Sequence, residues 1–377
     1  MLARFVSLAA LAVVAANPTG KSLINEQSNI DSLNAENGTT WKAGNNARFE
    51  GKRKIVCTTA QIPAPPDRCP PTLVAIDQRP QHTHTLSALL PLTSHPCPPP
   101  RHPRARPRAP GLTYDDVRGL MGTSLSHISE HLDETLDDAH YAALVADAAI
   151  PSNFSAVENW PGLVKPIRDQ AQCGSCWAFS AAEVLSDRLA IVKKDATTPV
   201  LSPEDLVSCD KSDNGCGGGR LPSAWSYLKS TGIVTDKCFP YGAGTGTAPA
   251  CSNKCADGST WASSKVKAAS SYAIKGVANM QKEIMTNGPV QVAFKVYKSF
   301  MSYKSGVYQK HWWELLPEGG HAVKIVGWGT ESGTDYWLVA NSWNTTWGLK
   351  GYFKIKRGSN QCGIEKMGPP YAGMPAV

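Results

Sequence analysis

The chain has 377 residues, of which 42% are hydrophobic, and a formal net charge of +7. This length allows a substantial buried core and more than one domain. The positive charge is not accompanied by a basic helix or by a repeat of basic and aromatic residues. We therefore expect no nucleic-acid partner.

The first residues are typical of a secretory signal. Arg4 supplies the positive end, residues 5–14 form an apolar stretch, and Ala15 and Ala16 provide the small residues of a cleavage site. The apolar stretch is too short to span a bilayer, and no later stretch is long enough to do so. We predict a signal peptide over residues 1–16 and a protein of the secretory pathway, destined for a lysosome, a vacuole or the outside of the cell.

The cysteine content agrees with this route, because disulfides persist in oxidising compartments. The chain has 11 cysteines, an odd number, so at least one thiol stays unpaired within it. Asn37, Asn153 and Asn344 each begin an acceptor triplet for N-glycosylation.

Charge is distributed unevenly along the chain. Residues 17–51 and 112–149 together carry 4 Lys/Arg and 12 Asp/Glu, a net charge of −8, whereas residues 150–377 carry 24 and 17, a net charge of +7. An acidic region that precedes a basic body is the arrangement expected of a tethered inhibitor and its enzyme.

The acidic region is interrupted by a proline-rich block. Residues 53–111 contain 14 of the 28 prolines, which prevent helices and sheets from continuing. We predict a disordered insertion there, or an artefact of the gene model. Residues 112–149 that follow are predicted to be helical, since apolar residues recur at mostly helical spacing at Leu120, Leu125, Ile128, Leu132 and Leu136.

The remaining chain has the texture of a globular body. Apolar residues at 178, 182, 185, 189 and 192 predict one buried face of a long helix, with Glu183 and Asp187 facing outward. The back half contains strand-like runs at 290–297, 321–328, 336–343 and 351–357. This order predicts an α+β fold with a helical lobe over about 150–255 and a β-rich lobe over about 256–377.

The stretch Q-C-G-S-C-W-A-F-S, residues 172–180, allows three interpretations. A redox pair would also place Cys-x-x-Cys at a helix start, but normally within an alternating β-α pattern that this chain lacks. A zinc site could join Cys173 and Cys176 to Cys251 and Cys255, although a secreted protein favours disulfides. In the third interpretation Cys176 is a nucleophile.

A nucleophilic thiol needs an electropositive surrounding and a base. Cys176 lies in the first turn of the predicted helix, where the helix dipole favours the thiolate. From residue 150 onward the candidate bases are His311 and His321, and His321 starts an apolar strand after two glycines. Asn341 lies in another apolar run and requires a partner, which such a histidine could supply. A structural histidine and an asparagine satisfied by the backbone remain the alternatives.

Several motifs together resemble the papain-type cysteine proteases, and within them the cathepsin B-like group. They are D-Q-A-Q-C-G-S-C-W-A-F-S (169–180), G-C-G-G-G (215–219), G-G-H-A-V-K-I-V-G-W-G (319–329) and Y-W-L-V-A-N-S-W-N-T-T-W-G (336–348). The resemblance implies a papain-like two-lobed fold, with a helical left lobe, a β-barrel-like right lobe and a cleft between them. It also implies a propeptide over residues 17–149 and a mature peptidase over residues 150–377.

The resemblance assigns catalytic roles as well. Cys176 would be the nucleophile, His321 its base and later the acid, and Asn341 the residue that orients the imidazole. Gln170 would stabilise the oxyanion, and Trp343 would cover the contact between the histidine and the asparagine. A binding protein that has kept this fold without activity is the competing class, and the presence of all four polar residues argues against it.

Substrate contacts and disulfides follow from the same resemblance. The bare backbone of Gly218 and Gly219 would pair with an extended peptide, and Met367 would line the pocket for the second residue before the cut, which favours hydrophobic side chains. The implied disulfides are Cys173–Cys216, Cys209–Cys251 and Cys238–Cys255. They leave Cys176 and Cys362 as thiols in the mature enzyme.

The implied partners are protein and peptide substrates, the chain's own propeptide and cystatin-type inhibitors. No cofactor or metal is expected, and the mature enzyme is expected to be monomeric. The chain departs from cathepsin B in one loop, since the stretch between Cys238 and Cys251 is short and lacks the usual histidines. We therefore predict an endopeptidase.

Overall fold

A computed structural model describes residues 23–36, 38–50, 112–124, 134–144 and 149–377, and these belong to one compact unit. The predicted signal peptide, the proline-rich block and the Asn37 triplet lie outside the described residues, as do Leu125, Ile128 and Leu132. No helix among the described residues is long and apolar enough to cross a membrane.

The helical lobe is built around the helix that begins at the Cys-x-x-Cys stretch. The helices of this lobe are α5 (Cys176–Lys193), α6 (Pro203–Cys209) and α7 (Leu221–Ser230). Helix α6 starts with a proline, and the side chain of Ser202 accepts a hydrogen bond from the Asp205 N–H, which caps the helix. Buried tryptophans and leucines of the three helices form one hydrophobic cluster.

Helix α5 is buried on all sides from Cys176 to Ala190, which corrects the prediction for two of its residues. Glu183 and Asp187 were expected to face outward, but both are buried. The Lys324 ammonium lies 2.6 Å from an Asp187 carboxylate oxygen and 3.6 Å from one of Glu183. Burial raises the pKa of both carboxyls, and Lys324 opposes that rise. Removing one partner of such a buried pair typically costs about 3–5 kcal/mol.

The β-rich lobe is one mixed sheet. Four of its strands lie close to the predicted runs. They are β5 (Val290–Val296), β7 (Gly319–Glu331), β8 (Thr334–Ala340) and β9 (Tyr352–Lys356). The shorter strands are β1 (Trp41–Ala43), β2 (Thr135–Leu136), β3 (Phe154–Ser155), β4 (Tyr272–Ile274), β6 (Tyr303–Tyr308) and β10 (Tyr371–Ala372). The α+β class predicted from the sequence is confirmed.

The strands follow the order β1-β6-β9-β8-β7-β5-β10-β4-β2, and β3 pairs with β7. Phe154 and Ser155 lie opposite Trp328 and Gly327, so the chain enters the β-rich lobe before it forms the helical one. Both terminal strands of the sheet, β1 and β2, come from the region before residue 150. That region therefore covers the two edges that the sheet would otherwise expose.

The described residues before residue 150 are less helical than the sequence predicts. It contains α1 (Gln27–Asn34), α2 (Tyr114–Val117) and α3 (Asp138–Leu144), and α4 (Ala156–Asn159) follows it. Instead of the helix expected over 112–149, the chain leaves α2, becomes extended at 121–124 and later forms β2, in which Leu136 lies. Pairing with the body replaces helical hydrogen bonds in both places.

Candidate active site

The nucleophile candidate occupies the start of the buried helix. Cys176 is the first residue of α5 and is fully buried. The loop before it is fixed at two points, by the Cys173–Cys216 disulfide and by a hydrogen bond of 2.8 Å between the hydroxyls of Ser175 and Tyr241. The sulfur therefore sits at the positive end of a rigidly placed helix dipole.

A histidine and an asparagine from neighbouring strands meet beside this thiol. His321 is the third residue of β7, and Asn341 follows directly after β8. The Nε2 of His321 lies 2.8 Å from the Asn341 Oδ1, which also accepts the N–H of Ser342. Because Oδ1 can only accept, Nε2 carries the hydrogen, and Nδ1 is buried without a hydrogen-bond partner among the described residues. That nitrogen is available to exchange a proton with the thiol.

The aromatic cover over this pair is Trp343. Its ring centroid lies 4.8 Å from that of His321, and the side chain is fully buried. Phe300 packs edge-on against the indole from the β-rich lobe, and Phe49 does so from the region before residue 150. Water is thereby kept from the hydrogen bond between His321 and Asn341.

The electrostatics of the site act on the thiol in opposite directions. Burial raises the pKa of Cys176, but the charge of the neighbouring His321 imidazole and the contact with Thr123 outweigh it and lower the pKa to about 7. Helix position and imidazole together thus favour the thiolate near neutral pH.

The other candidate base, His311, lies away from the thiol. His311 is buried beneath the region before residue 150, where its ring stacks on Trp313 and Nδ1 contacts the Glu36 carboxylate. Burial lowers the pKa of His311 to about 4. The structure therefore brings His321, and not His311, to Cys176.

Gln170 holds a side-chain amide at the same place. The residue is buried, and the Ser342 hydroxyl donates to its Oε1 over 2.7 Å, which fixes the orientation of the amide. Its Nε2 donates to the carbonyl of Cys173 over 2.8 Å and to that of Leu120 over 3.0 Å. An oxyanion requires a hydrogen-bond donor of this kind beside the thiol. Here the Gln170 amide donates instead to the Leu120 carbonyl, which belongs to the region before residue 150.

Residues 118–124, which we name the cleft segment, run between the two lobes. Thr123 donates its N–H to the Gly320 carbonyl over 3.1 Å, and its hydroxyl oxygen lies 3.3 Å from the Cys176 sulfur. Gly219 donates to the Gly122 carbonyl over 2.9 Å and accepts from the N–H of Ser124 over 3.3 Å. The apolar spacing in residues 112–149 gave no sign that Thr123 would contact the sulfur.

Gly218 and Gly219 form the wall that pairs with the cleft segment. Gly218 has a φ of 112°, and a Cβ there would lie 2.9 Å from the Gly122 carbonyl oxygen. A Cβ on Gly219 would lie 2.4 Å from the Trp177 ring. Both positions need glycine, and their bare backbone can receive another extended chain.

An apolar cavity opens next to the cleft segment at Thr123 and Ser124. It is lined further by Arg220, Leu221, Pro222, Ala293, Gly368 and Tyr371. The predicted Met367 is half-buried and adjoins this lining, and its N–H donates to the Gly363 carbonyl over 2.7 Å. That turn packs the thioether against Gly363, so Gly368 is the residue of this stretch that reaches the cavity.

The structure contains the three disulfides Cys173–Cys216, Cys209–Cys251 and Cys238–Cys255. Cys176 and Cys362 are the free thiols among the described residues, and both are buried. Burial raises the pKa of Cys362 to about 12, so this thiol is inert where Cys176 is not. Neither a redox pair nor a zinc ligand set forms from Cys173 and Cys176.

Two ion pairs between the region before residue 150 and the body run against the overall charge pattern. Arg48 lies 3.3 Å from the Asp169 carboxylate, and Arg118 lies 2.7 Å from that of Glu318. In both pairs the cation belongs to the acidic region. The net charges of the two sequence regions gave no sign of these local contacts.

Comparison with known proteins agrees with the geometry of the site. The family model described as papain family cysteine protease matches residues 150–369. A gut-specific cysteine proteinase of Caenorhabditis elegans is 45% identical over 67% of this chain and 86% of its own length. A cathepsin B-like protein of Giardia intestinalis, CP2, is 44% identical over 71% of this chain and 86% of its own length.

Solved structures of proforms share the fold. Procathepsin B S9 from Trypanosoma congolense superposes with a TM-score of 0.64 and 34% identity, covering 71% of this chain and 90% of that one. The digestive procathepsin L2 from Tenebrio molitor gives a TM-score of 0.58 and 30% identity, covering 71% and 81%. The chain belongs to the papain family of cysteine proteases and is a cathepsin B-like member with the two-lobed papain fold, a hydrolase that acts on peptide bonds.

Proposed function

We propose that the chain is a cysteine endopeptidase, made as a zymogen, in which Cys176 attacks the peptide carbonyl with His321 as its base. The observation that carries this proposal is the placement of a fully buried thiol at the start of a helix beside an imidazole that Asn341 holds, an arrangement that lowers the pKa of the thiol to about 7. Asn341 holds that imidazole through the hydrogen bond to Nε2, so that Nδ1 is directed to the reacting atoms.

The chemistry proceeds in two halves. The Cys176 thiolate forms a bond to the carbonyl carbon, and the developing oxyanion accepts hydrogen bonds from the Gln170 amide and the Cys176 N–H. Imidazolium His321 then gives its proton to the leaving amine, which departs and leaves a thioester. Water, deprotonated by His321, attacks the thioester and releases the acid and the thiolate.

Self-inhibition by the cleft segment is part of the proposal. The segment uses the groups that a substrate would need, namely the Gln170 amide, the Gly219 backbone and the space over the Cys176 sulfur. Gly122 makes the closest approach, since a Cβ there would lie 1.7 Å from the Gly174 carbonyl oxygen. Activation then requires that the propeptide, predicted as residues 17–149, be cut and leave the cleft.

The apolar cavity supports a hydrophobic preference at the second residue before the cut. A substrate that pairs with Gly219 in place of the cleft segment would direct that side chain toward Ala293 and Tyr371. The described residues that line the cavity include no carboxylate, and the guanidinium of Arg220 lies 3.5 Å from the Asp213 carboxylate. An arginine there would be desolvated without a counter-charge, whereas phenylalanine or leucine would gain about 1.5–3 kcal/mol from burial.

Endopeptidase action rests on the short loop between Cys238 and Cys251. This loop carries no histidine that could hold a substrate's C-terminal carboxylate. It folds back on the body, where the Glu204 carboxylate accepts the N–H groups of Gly242 and Ala243. An open cleft suits internal cleavage of protein and peptide substrates.

The cellular context is proposed on sequence grounds. We propose a monomeric enzyme of the secretory pathway, in a lysosome, a vacuole or outside the cell, that cystatin-type inhibitors can block. Asn153 is exposed and suits glycosylation, whereas the Asn344 side chain contacts Asp169 and the Thr346 N–H.

The nucleophile is tested with the two buried free thiols as a matched pair. After activation, Cys176→Ala should abolish both peptide hydrolysis and labelling by an epoxysuccinyl peptide, because it removes the thiol whose pKa His321 lowers. Cys362→Ala should retain both, since the pKa of Cys362 is raised to about 12 and its thiol stays protonated. Mass spectrometry that found the label on Cys362, or activity in Cys176→Ala, would refute the proposal.

Self-inhibition is tested with two glycines of the cleft segment. Gly122→Ala should force the segment out of place, and since overpacking typically costs about 1–3 kcal/mol, the uncut chain should be labelled at least about tenfold faster at neutral pH. Gly119→Ala is the control, because a Cβ there meets nothing within 4 Å. Equal labelling rates of uncut Gly122→Ala and wild type would show that the cleft segment does not block the thiol.

Specificity is tested with the fluorogenic dipeptides Phe-Arg and Arg-Arg. We expect kcat/KM to favour Phe-Arg by at least about tenfold, equivalent to about 1.4 kcal/mol, because the described lining of the cavity offers no carboxylate to an arginine. Ala293→Glu should narrow the gap by placing a carboxylate in the cavity lining, while Met367→Leu, outside the lining, should leave it unchanged. Equal rates in the wild type would exclude a hydrophobic preference.

A further inference from the structure

A second part of the region before residue 150 packs on the body outside the active site. Residues 134–144, which we name the docking segment, comprise β2 and α3. Thr135 and Leu136 pair in parallel with Ala273 and Ile274 of β4. The Ala273 N–H donates to the Glu134 carbonyl over 2.9 Å, and the Lys275 N–H donates to the Leu136 carbonyl over 3.1 Å.

Two side chains of the docking segment enter the core of the β-rich lobe. Leu136 is 6% exposed and Tyr141 is 0% exposed, and both belong to the main hydrophobic cluster of that lobe. A parallel strand pair together with two buried anchors makes a more extensive contact than pairing of the backbone alone. The docking segment is therefore packed as part of the body.

The Tyr141 hydroxyl completes a buried polar network. It donates to Glu283 Oε2 over 2.9 Å, within helix α8 (Val277–Asn287). The other Glu283 oxygen lies 2.8 Å from both the Arg188 guanidinium and the Tyr272 hydroxyl. Glu283 and Arg188 are fully buried, so departure of the docking segment would open an enclosed ion pair to solvent.

A further side-chain hydrogen bond lies at the start of α3. The Asn279 amide of α8 donates to the Asp138 carboxylate over 2.6 Å. Leu136, Asp138 and Tyr141 thus each have a distinct partner on the body, which are the β4 edge, Asn279 and Glu283. Together these partners form a binding site for an extended segment followed by a short helix.

The cleft segment is held differently. Away from Cys176 it buries Leu120 in the same hydrophobic cluster and pairs Arg118 with Glu318. Around Cys176 its contacts are backbone hydrogen bonds with Gly219 and Gly320 and a hydrogen bond from the Gln170 amide, and a substrate competes for all of these. We propose that the docking segment stays bound to the catalytic unit after the cleft segment has left, so that the active enzyme contains residues 134–144. This proposal rests on zymogen activation as proposed above, and it divides the predicted propeptide into an inhibitory part and a retained part.

Retention is measured on the activated full-length chain. The active peak from gel filtration in native buffer should contain residues 134–144 by mass spectrometry, either continuous with the body or as a co-eluting peptide. Tyr141→Phe should lower the retained fraction, because it removes the bond to Glu283, whereas Ala143→Ser on the exposed side of α3 should not. A fully active peak that begins at residue 150 and holds no such peptide would overturn the proposal.

A peptide experiment tests the site directly. Mature enzyme freed of the segment by mild denaturant wash, and blocked by an epoxysuccinyl inhibitor, should bind a fluorescent peptide of residues 134–144. A peptide with Tyr141→Ala should bind at least about tenfold more weakly, since it loses both the buried ring and the charged hydrogen bond. Equal affinity of the two peptides, or no binding of either, would contradict a specific docking site.

The two proposals can fail separately. A chain that never develops activity contradicts the proposed function. Retention is then read on the Cys176→Ala chain, cut by an added protease of another class and passed over the same column. Loss of residues 134–144 from that folded chain would contradict docking, whatever the outcome for activity.

Discussion

The packing of α5 against β7 is the contact on which the active site depends. The helix carries Cys176 in its first turn and Asp187 further along. The strand carries His321 and, three residues later, Lys324. The buried pair of Lys324 and Asp187, 2.6 Å apart, fixes the register of helix and strand at a point distant from the thiol. Because the two reacting groups belong to different lobes, any slippage between α5 and β7 would separate them. Burial of charge is costly, and loss of either partner would leave the other charge buried and unpaired.

The region before residue 150 contacts the body in two physically distinct ways. The cleft segment places backbone groups and one hydroxyl where a substrate would bind, and it offers Gly122 at the tightest point because no side chain fits there. Strands β1 and β2 instead extend the sheet at its two edges, and they bring Trp41, Leu136 and Tyr141 into the core. The first kind of contact competes with substrate, while the second covers exposed backbone and apolar surface.

Much of this arrangement could be predicted from the sequence, since local patterns determine it. The apolar spacing after Cys176 predicts α5, and the β-branched runs predict β5, β7, β8 and β9. The orientation of Glu183 and Asp187 could not be predicted, because their partner Lys324 is distant in sequence and reaches them only in the folded state. Likewise, Leu136 has helical spacing but lies in a strand, since the open edge of β4 supplies its hydrogen bonds. Residue spacing also does not predict the turn from Gly363 to Met367, which leaves Gly368 to line the cavity.

The two buried thiols differ in their electrostatic surroundings. Burial, with the charge of Glu314 added, raises the pKa of Cys362 to about 12, whereas His321 outweighs burial and lowers the pKa of Cys176 to about 7. The central claim is that the imidazole on β7 outweighs the cost of burying a thiolate on α5. The most direct test is a titration of thiolate ultraviolet absorbance in the full-length chain, with Cys176→Ala subtracted, for the wild type and for His321→Ala. The account predicts a midpoint near pH 7 in the wild type and a midpoint above the ordinary thiol range in His321→Ala. An unchanged midpoint in His321→Ala would contradict it.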